Sequence, residues 1–196
     1  MGAALLSMFV ALALGAASVW YGGIVDWIAQ RLSDLNMIMP VLAIGVLFYS
    51  FYGLSIWSVL FVIVLFSSFG SPVKTFRSAF LQVKESSYIE SARSYGASDS
   101  RIIFKYMIPK IMPLLIPQLI YLIPTYIFLE ATLGMFNIRM IYPTWGRIIY
   151  EALNSGLVYG SRFWVLQPLA LVFLTGLAFS MVGFALDKIL NPKLNV

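Results

Sequence analysis

Very few residues of this chain could carry chemistry. Its 196 residues include no cysteine and no histidine. That excludes a thiolate nucleophile, a disulfide framework, an imidazole base and the common zinc sites. The phosphate-binding pattern GxxxxGK[ST] is missing too. No acid–base pair or activated nucleophile is visible, so no catalytic or metal-binding residue is expected. Two carboxylates stand where a carboxylate is informative. Glu90 lies in YIESARSYGASDS, residues 88–100, a polar stretch broken by Gly96. Glu130 lies in IFLEATLG, residues 127–134, at the end of a long apolar run.

The elements that must position these residues are written in the hydropathy. The chain is 61% hydrophobic and 11% charged, with a mean hydropathy of +0.89; soluble domains carry about 25% charged residues. Residues 2–21, 35–73, 111–129 and 163–186 contain no charge at all. A bilayer span takes about 20 mostly apolar residues. The run from Leu35 to Val73 therefore holds two, with the bend in SFYGLS at Gly53. Five helical spans are expected, at 2–21, 35–50, 54–72, 111–134 and 163–186. Backbone amides in lipid must pair within their own segment, and nothing here alternates with period two, so a barrel is excluded. The fold class is an all-α, polytopic membrane helix bundle.

Charge placement orients the bundle. Seven of the 13 basic residues (Lys74, Arg77, Lys84, Arg93, Arg101, Lys105 and Lys110) crowd into the loop at 74–110. Such a loop belongs on the cytoplasmic side. Alternation then puts Arg31, Lys188 and Lys193 inside and Arg139, Arg147 and Arg162 outside, 10 against 3. The N-terminus is expected outside and the C-terminus inside. This clustering also argues for the membrane rule over a nucleic-acid partner, despite the net charge of +5. ALGAAS at 13–18 resembles a signal-peptidase site, but no basic segment precedes it and the apolar run is too long.

Small residues four apart, as in Ala11/Gly15, Ala13/Ala17 and Gly176/Ser180, suit close helix packing. Prolines 40, 113, 117, 124 and 168 predict kinks, with the fourth span least regular. Asp26 and Asp34 read as caps of the DWIAQRLSD turn. The outside loop, 135–162, contains WGRIIYEALNSG, an amphipathic helix with Trp145, Ile148, Ile149 and Leu153 on one side and Gly156 as its stop. Tyr142, Trp145, Tyr150 and Tyr159 suit headgroup level, which implies a lid or anchor.

Within the inside loop, Ser87 and Glu90 have capping-box spacing. A short helix is expected from Tyr88, ended by Gly96 in the left-handed conformation. Ser98 then caps a second helix starting at Asp99. The first helix presents Tyr88, Ile89, Ala92 and Tyr95 as an apolar stripe flanked by Glu90 and Arg93. Two turns alone are marginal in water, so the stripe needs a surface, the chain's own or a partner's.

ESARSYGASDSRIIFKYMIP resembles the cytoplasmic signature loop of binding-protein-dependent ABC importer permeases. Glu90, Ala92, Gly96 and Pro109 match that pattern, while Ser91, Tyr106 and Ile108 depart from it. YGGIVDWIAQRLSDLNMIMPVLAI, LEATLGMF, PTWGRIIYEAL and LDKILNPKL are similar to further landmarks of the dipeptide and oligopeptide branch, in order, so the likeness covers nearly the whole chain. Typical members carry one more N-terminal span and an outside segment, so a chain shortened at that end is expected.

The resemblance implies one permease domain over 1–196 that forms half of a pathway for peptides or similar solutes. A related or identical second permease subunit, two ATP-binding subunits and an external solute-binding protein are the implied partners, in the cell membrane. ATP and Mg belong to the ATP-binding subunits, and no cofactor is expected on this chain. Tyr88, Ile89, Glu90, Ala92, Arg93, Gly96, Ala97, Ser98 and Pro109 are the implied coupling residues. Glu130 has two readings: a structural hydrogen bond near the interface, or contact with a solute's amino terminus. A secondary transporter would need several ionisable residues at mid-membrane. A non-transporting assembly subunit, or an importer of nickel chelates or another small solute, is the alternative.

Overall fold

The structure, a computed structural model, describes residues 2–52, 58, 61, 62, 64, 68–136, 138, 144–156 and 166–190. Among them the regular structure is entirely helical. The helices are α1 (Gly2–Tyr21), α2 (Gly23–Ile38), α3 (Val41–Tyr52), α4 (Ser71–Lys84), α5 (Ser87–Ser94), α6 (Asp99–Met135), α7 (Trp145–Asn154) and α8 (Gln167–Leu190). The helices α1, α6 and α8 are each long and apolar enough to cross a bilayer. The bent pair α2–α3 makes a fourth candidate. The expected span at 54–72 falls mostly outside the described residues.

The expected span at 35–50 is corrected. Leu35 to Ile38 belong to α2, and the chain turns by 84° between α2 and α3. Met39, ahead of Pro40, is extended at φ −76° and ψ 128°. Proline's ring crowds the preceding residue out of the α region, so the helix ends there. The α1–α2 junction is made differently: Gly22 and Gly23 both take positive φ, 63° and 49°.

Proline acts otherwise in α6. Residues Ile102–Met107 form a π-helical turn, closed by the Ile108 amide bonding to the Ile103 carbonyl. Pro109 follows at once. Its ring would press on the carbonyl four residues back, and widening the turn relieves that pressure. From Ile108 to Met135 the helix then continues unbroken past Pro113, Pro117 and Pro124. The expectation that the fourth span, 111–134, is the least regular is thus corrected: it is a continuous α-helix, and the irregular turn lies before it at Ile102–Met107.

Among the described residues, two apolar cores hold the bundle. One joins Ala11 and Val19 of α1 to Val73, Phe76, Phe80 and Val83 of α4 and to Ile102, Met107, Ile111 and Leu115 of α6. The other joins Ala4 to Val64, Tyr126, Leu133 and Ile138 at the opposite end. A stripe of Ala4, Ser7, Ala11, Gly15 and Ser18 is buried along α1. A Cβ on Gly15 would stand 3.0 Å from Phe76 Cβ, so α1 and α4 touch almost backbone to backbone. Of the other expected small-residue contacts, Ala13 is exposed and Gly176 faces open space. The close contact on α8 is Gly183, where a Cβ would come within 2.7 Å of the Tyr121 ring.

Candidate functional site

The segment that carries the signature is mounted on the first core. α4 ends at Lys84, and Ser86 takes the N-cap position of α5, one residue earlier than its sequence suggests. The capping box is therefore not formed. Ser87 is the first helical residue, no side chain caps the helix, and the Ser86 hydroxyl donates to the Val83 carbonyl. The C-terminal end matches expectation. Gly96 has φ +76°, its amide bonds to the Arg93 carbonyl at 2.9 Å, and the Ala97 amide bonds to the Ala92 carbonyl at 3.0 Å. This paired closure satisfies two orphan carbonyls and needs a left-handed residue at its centre. Asp99 begins α6 after Ser98, whose hydroxyl makes no cap bond.

The apolar stripe of α5 is split by this mounting. Ile89 is 1% exposed and sits in the chain's own core, whereas Tyr95 is 92% exposed. Tyr88, Glu90, Arg93 and Ser98 are exposed, and Ala92 and Ala97 are half-buried. Ile89 is thus the anchor, and the free face is mixed aromatic, acidic and basic. Pro109 is exposed twelve residues beyond Ala97 in the chain, at the end of the π turn.

Sequence reasoning missed Trp20, in the last turn of α1. Its indole N–H donates to the Asp99 carboxylate at 3.0 Å. The Arg93 guanidinium stands 4.8 Å from the ring centroid and the Lys84 ammonium 5.8 Å from it. Lys84 also donates to the Val19 carbonyl, at the end of α1. One tryptophan therefore touches the end of α4, the last turn of α5 and the first residue of α6. A tryptophan at a span's end reads in sequence as an interfacial anchor, and that reading hides this role.

The reading of Asp26 and Asp34 as caps is corrected: both lie inside α2, whose N-cap is Gly22 with no side-chain cap bond. Arg77 grips Asp26 with two parallel bonds, Nε to Oδ1 at 2.6 Å and a terminal nitrogen to Oδ2 at 2.5 Å. Ser18 donates to the same carboxylate. Lys74 pairs with Asp34 at 2.5 Å. α2 is thereby clamped along α4, on the same end of the bundle as the signature segment. The Arg77 hydrogen bonds hold the Asp26 carboxyl below the usual carboxylate range, against the opposing effect of burial, with Ser18 assisting. The Lys74 hydrogen bond does the same for Asp34.

Glu130 lies at the other end. It lies beside Thr144, the residue that caps α7 and accepts from the Arg147 amide at 3.3 Å, and its Oε1 is buried with no hydrogen-bond partner among the described residues. Next to it the backbones of α6 and α7 meet: a Cβ on Gly134 would lie 2.6 Å from the Gly146 carbonyl carbon, and one on Gly146 would lie 2.5 Å from the Ala131 oxygen. The buried face of α7 is Gly146, Ile149 and Ala152, which corrects the expected face, since Ile148 and Leu153 are exposed. Gly156, at φ +67°, ends the helix as expected. Tyr142 and Tyr159 lie outside the described residues. A cavity of about 1060 Å³ opens between α6 and α8, lined by Tyr121, Pro124, Phe128, Phe173 and Gly176 among others. A second, of about 400 Å³, lies where Asn36, Ser71, Gln118 and Thr125 converge.

Comparison with known proteins meets this geometry. The chain is 26% identical over 194 residues to the oligopeptide transport system permease protein of Bacillus subtilis (strain 168), covering 98% of this chain and 63% of that protein. It is 29% identical over 192 residues to a glutathione transport system permease protein of Pectobacterium atrosepticum, covering 97% and 63%. To a dipeptide transport system permease protein of Lactococcus lactis subsp. cremoris it is 26% identical over 195 residues, covering 98% and 56%. The chain thus spans somewhat under two thirds of the length of these relatives. Apolar helices of spanning length make it a multi-pass membrane protein, and residues 6–196 match one family model, so the chain belongs to the binding-protein-dependent transport system inner membrane components.

Proposed function

We propose that this chain is a permease subunit of an ATP-driven importer and forms half of a transmembrane path for peptides or similar small solutes. Partner subunits hydrolyse the ATP, with their own Mg. A second permease subunit, related or identical, completes the path; two ATP-binding subunits dock inside, and a solute-binding protein delivers cargo outside. The cargo class is supported by relatives named for oligopeptide, dipeptide and glutathione transport. The N-terminus lies outside and the C-terminus in the cytoplasm, a reading that rests on the clustered basic residues at 74–110.

One observation carries this reading: α5 is pinned by Ile89 from behind and leaves its polar face uncovered. A helix of eight residues held by one buried side chain is poised to move as a unit. Tyr88, Glu90, Arg93, Ala97 and Ser98 make the contact, Ala92 allows close approach, and Gly96 and Pro109 set the path of the chain on either side. Glu130 stands beside Thr144 where α7 packs on α6, which favours a structural role over contact with a solute. Charge reversal tests the proposal. In the intact complex Glu90→Lys should leave the subunits co-purifying and lower transport per ATP hydrolysed. Unchanged transport per ATP would make the chain an assembly subunit.

A further inference from the structure

We propose that Trp20 is the joint through which movement of the coupling segment reaches the first membrane helix. This rests on the coupling role proposed for α5. α5 has one core anchor, Ile89, which belongs to the apolar cluster shared by α1, α4 and α6, with Trp20 packed against that cluster. Trp20 supplies the direct polar link to α1. Its ring takes Arg93 from α5 and Lys84 from α4, and its N–H takes Asp99 from α6. Lys84 closes the circuit on the Val19 carbonyl.

The chemistry suits a joint better than a rigid weld. An aromatic face accepts a cation over a range of positions, because the attraction is to the ring quadrupole and not to one lone pair. The N–H of an indole is a single directed donor, so the bond to Asp99 fixes one edge while the face lets Arg93 slide. Arg93 is also on the free face of α5, where a partner's carboxylate would compete for it. Docking would then change the grip on Trp20 and with it the position of the α1 end. Lys84 on the same ring gives a second cation to take over the face when Arg93 leaves.

The test uses the whole complex, purified through a tag on this chain, with a nitroxide on a single introduced cysteine. This chain has no cysteine of its own. One label goes on the segment, at Ser98→Cys, and the other on the exposed side of α1, at Ala13→Cys. A non-hydrolysable ATP analogue should change both spectra. In the Trp20→Leu background the change at residue 13 should shrink by about fivefold or more, while that at residue 98 stays within about twofold. Trp20→Phe, which keeps the ring face, should restore most of the response. A response at residue 13 that survives Trp20→Leu overturns the joint, as does a parent complex in which residue 98 responds and residue 13 does not. Loss of assembly in Trp20→Leu assigns the residue to the fold and also overturns it. No response at residue 98 in the parent would instead remove the coupling role itself.

Discussion

At the scale of single residues, two contacts fix how the ends of the bundle are held. The α6–α7 junction allows no side chain at Gly134 or Gly146. Gly146→Val should lower stability in detergent by about 2–4 kcal/mol, because backbone on both sides must move. Gly176 meets nothing within 4 Å. Gly176→Ala should instead raise stability, by up to about 1 kcal/mol, through helix propensity. Thermal unfolding of the two variants side by side checks both signs. The Asp26–Arg77 pair makes a prediction in pH. The folded carboxyl titrates below its unfolded value, so its stabilisation is fully present above that value and is lost as pH falls through the folded one. With both side chains partly exposed, the pair is worth about 1–2 kcal/mol. Asp26→Asn should lose that amount at pH 7 and show a flatter acid limb below about pH 4. Parallel acid limbs would show that the pair adds nothing.

At the scale of elements, the sequence gives away what is local and hides what is long-range. The apolar run of α1 and the stop at Gly96 were legible because length and a left-handed glycine are properties of neighbouring residues. The membership of Leu35–Ile38 in α2 was not, because an uncharged run looks the same on either side of Pro40. The clamp between α2 and α4 left no spacing to read. Asp26 and Asp34 are separated by about 12 Å along one helix, and Lys74 and Arg77 by about 4.5 Å along the other, at 1.5 Å per residue. Only the crossing of the two helices and the reach of the long basic side chains bring them together. The expected capping box that does not form has a similar cause: Ser86 and Ser87 are chemically alike, and the end of α4 decides which one takes the N-cap position of α5. A prediction follows for the element itself. Ile89→Ala removes the anchor of α5 and should cost about 2–5 kcal/mol locally. Amide exchange over residues 87–95 should then rise while α6 and α8 keep their protection. Equal loosening of all three would mean that α5 is folded into the bundle and does not move alone.

At the scale of the whole molecule, the two ends are built for different tasks. The end with α2, α4 and α5 carries ion pairs, a cation-flanked tryptophan and a short helix with an uncovered polar face. The other end closes α7 onto α6 through facing glycines. Between them α6 runs as one long helix, from Asp99 at the first end to Met135 at the second. Under the proposed coupling role, a push on α5 would have two routes across the membrane, α6 directly and α1 through Trp20. The central claim is that the α5 end faces the cytoplasm and meets an ATP-binding subunit. The most direct measurement places a photo-cross-linker on Ser98→Cys in inverted membrane vesicles that contain the complex. The account predicts labelling from the cytoplasmic side and an adduct with the ATP-binding subunit whose yield changes with nucleotide. A cysteine that reacts only from the opposite face, or labels without any adduct, would contradict it.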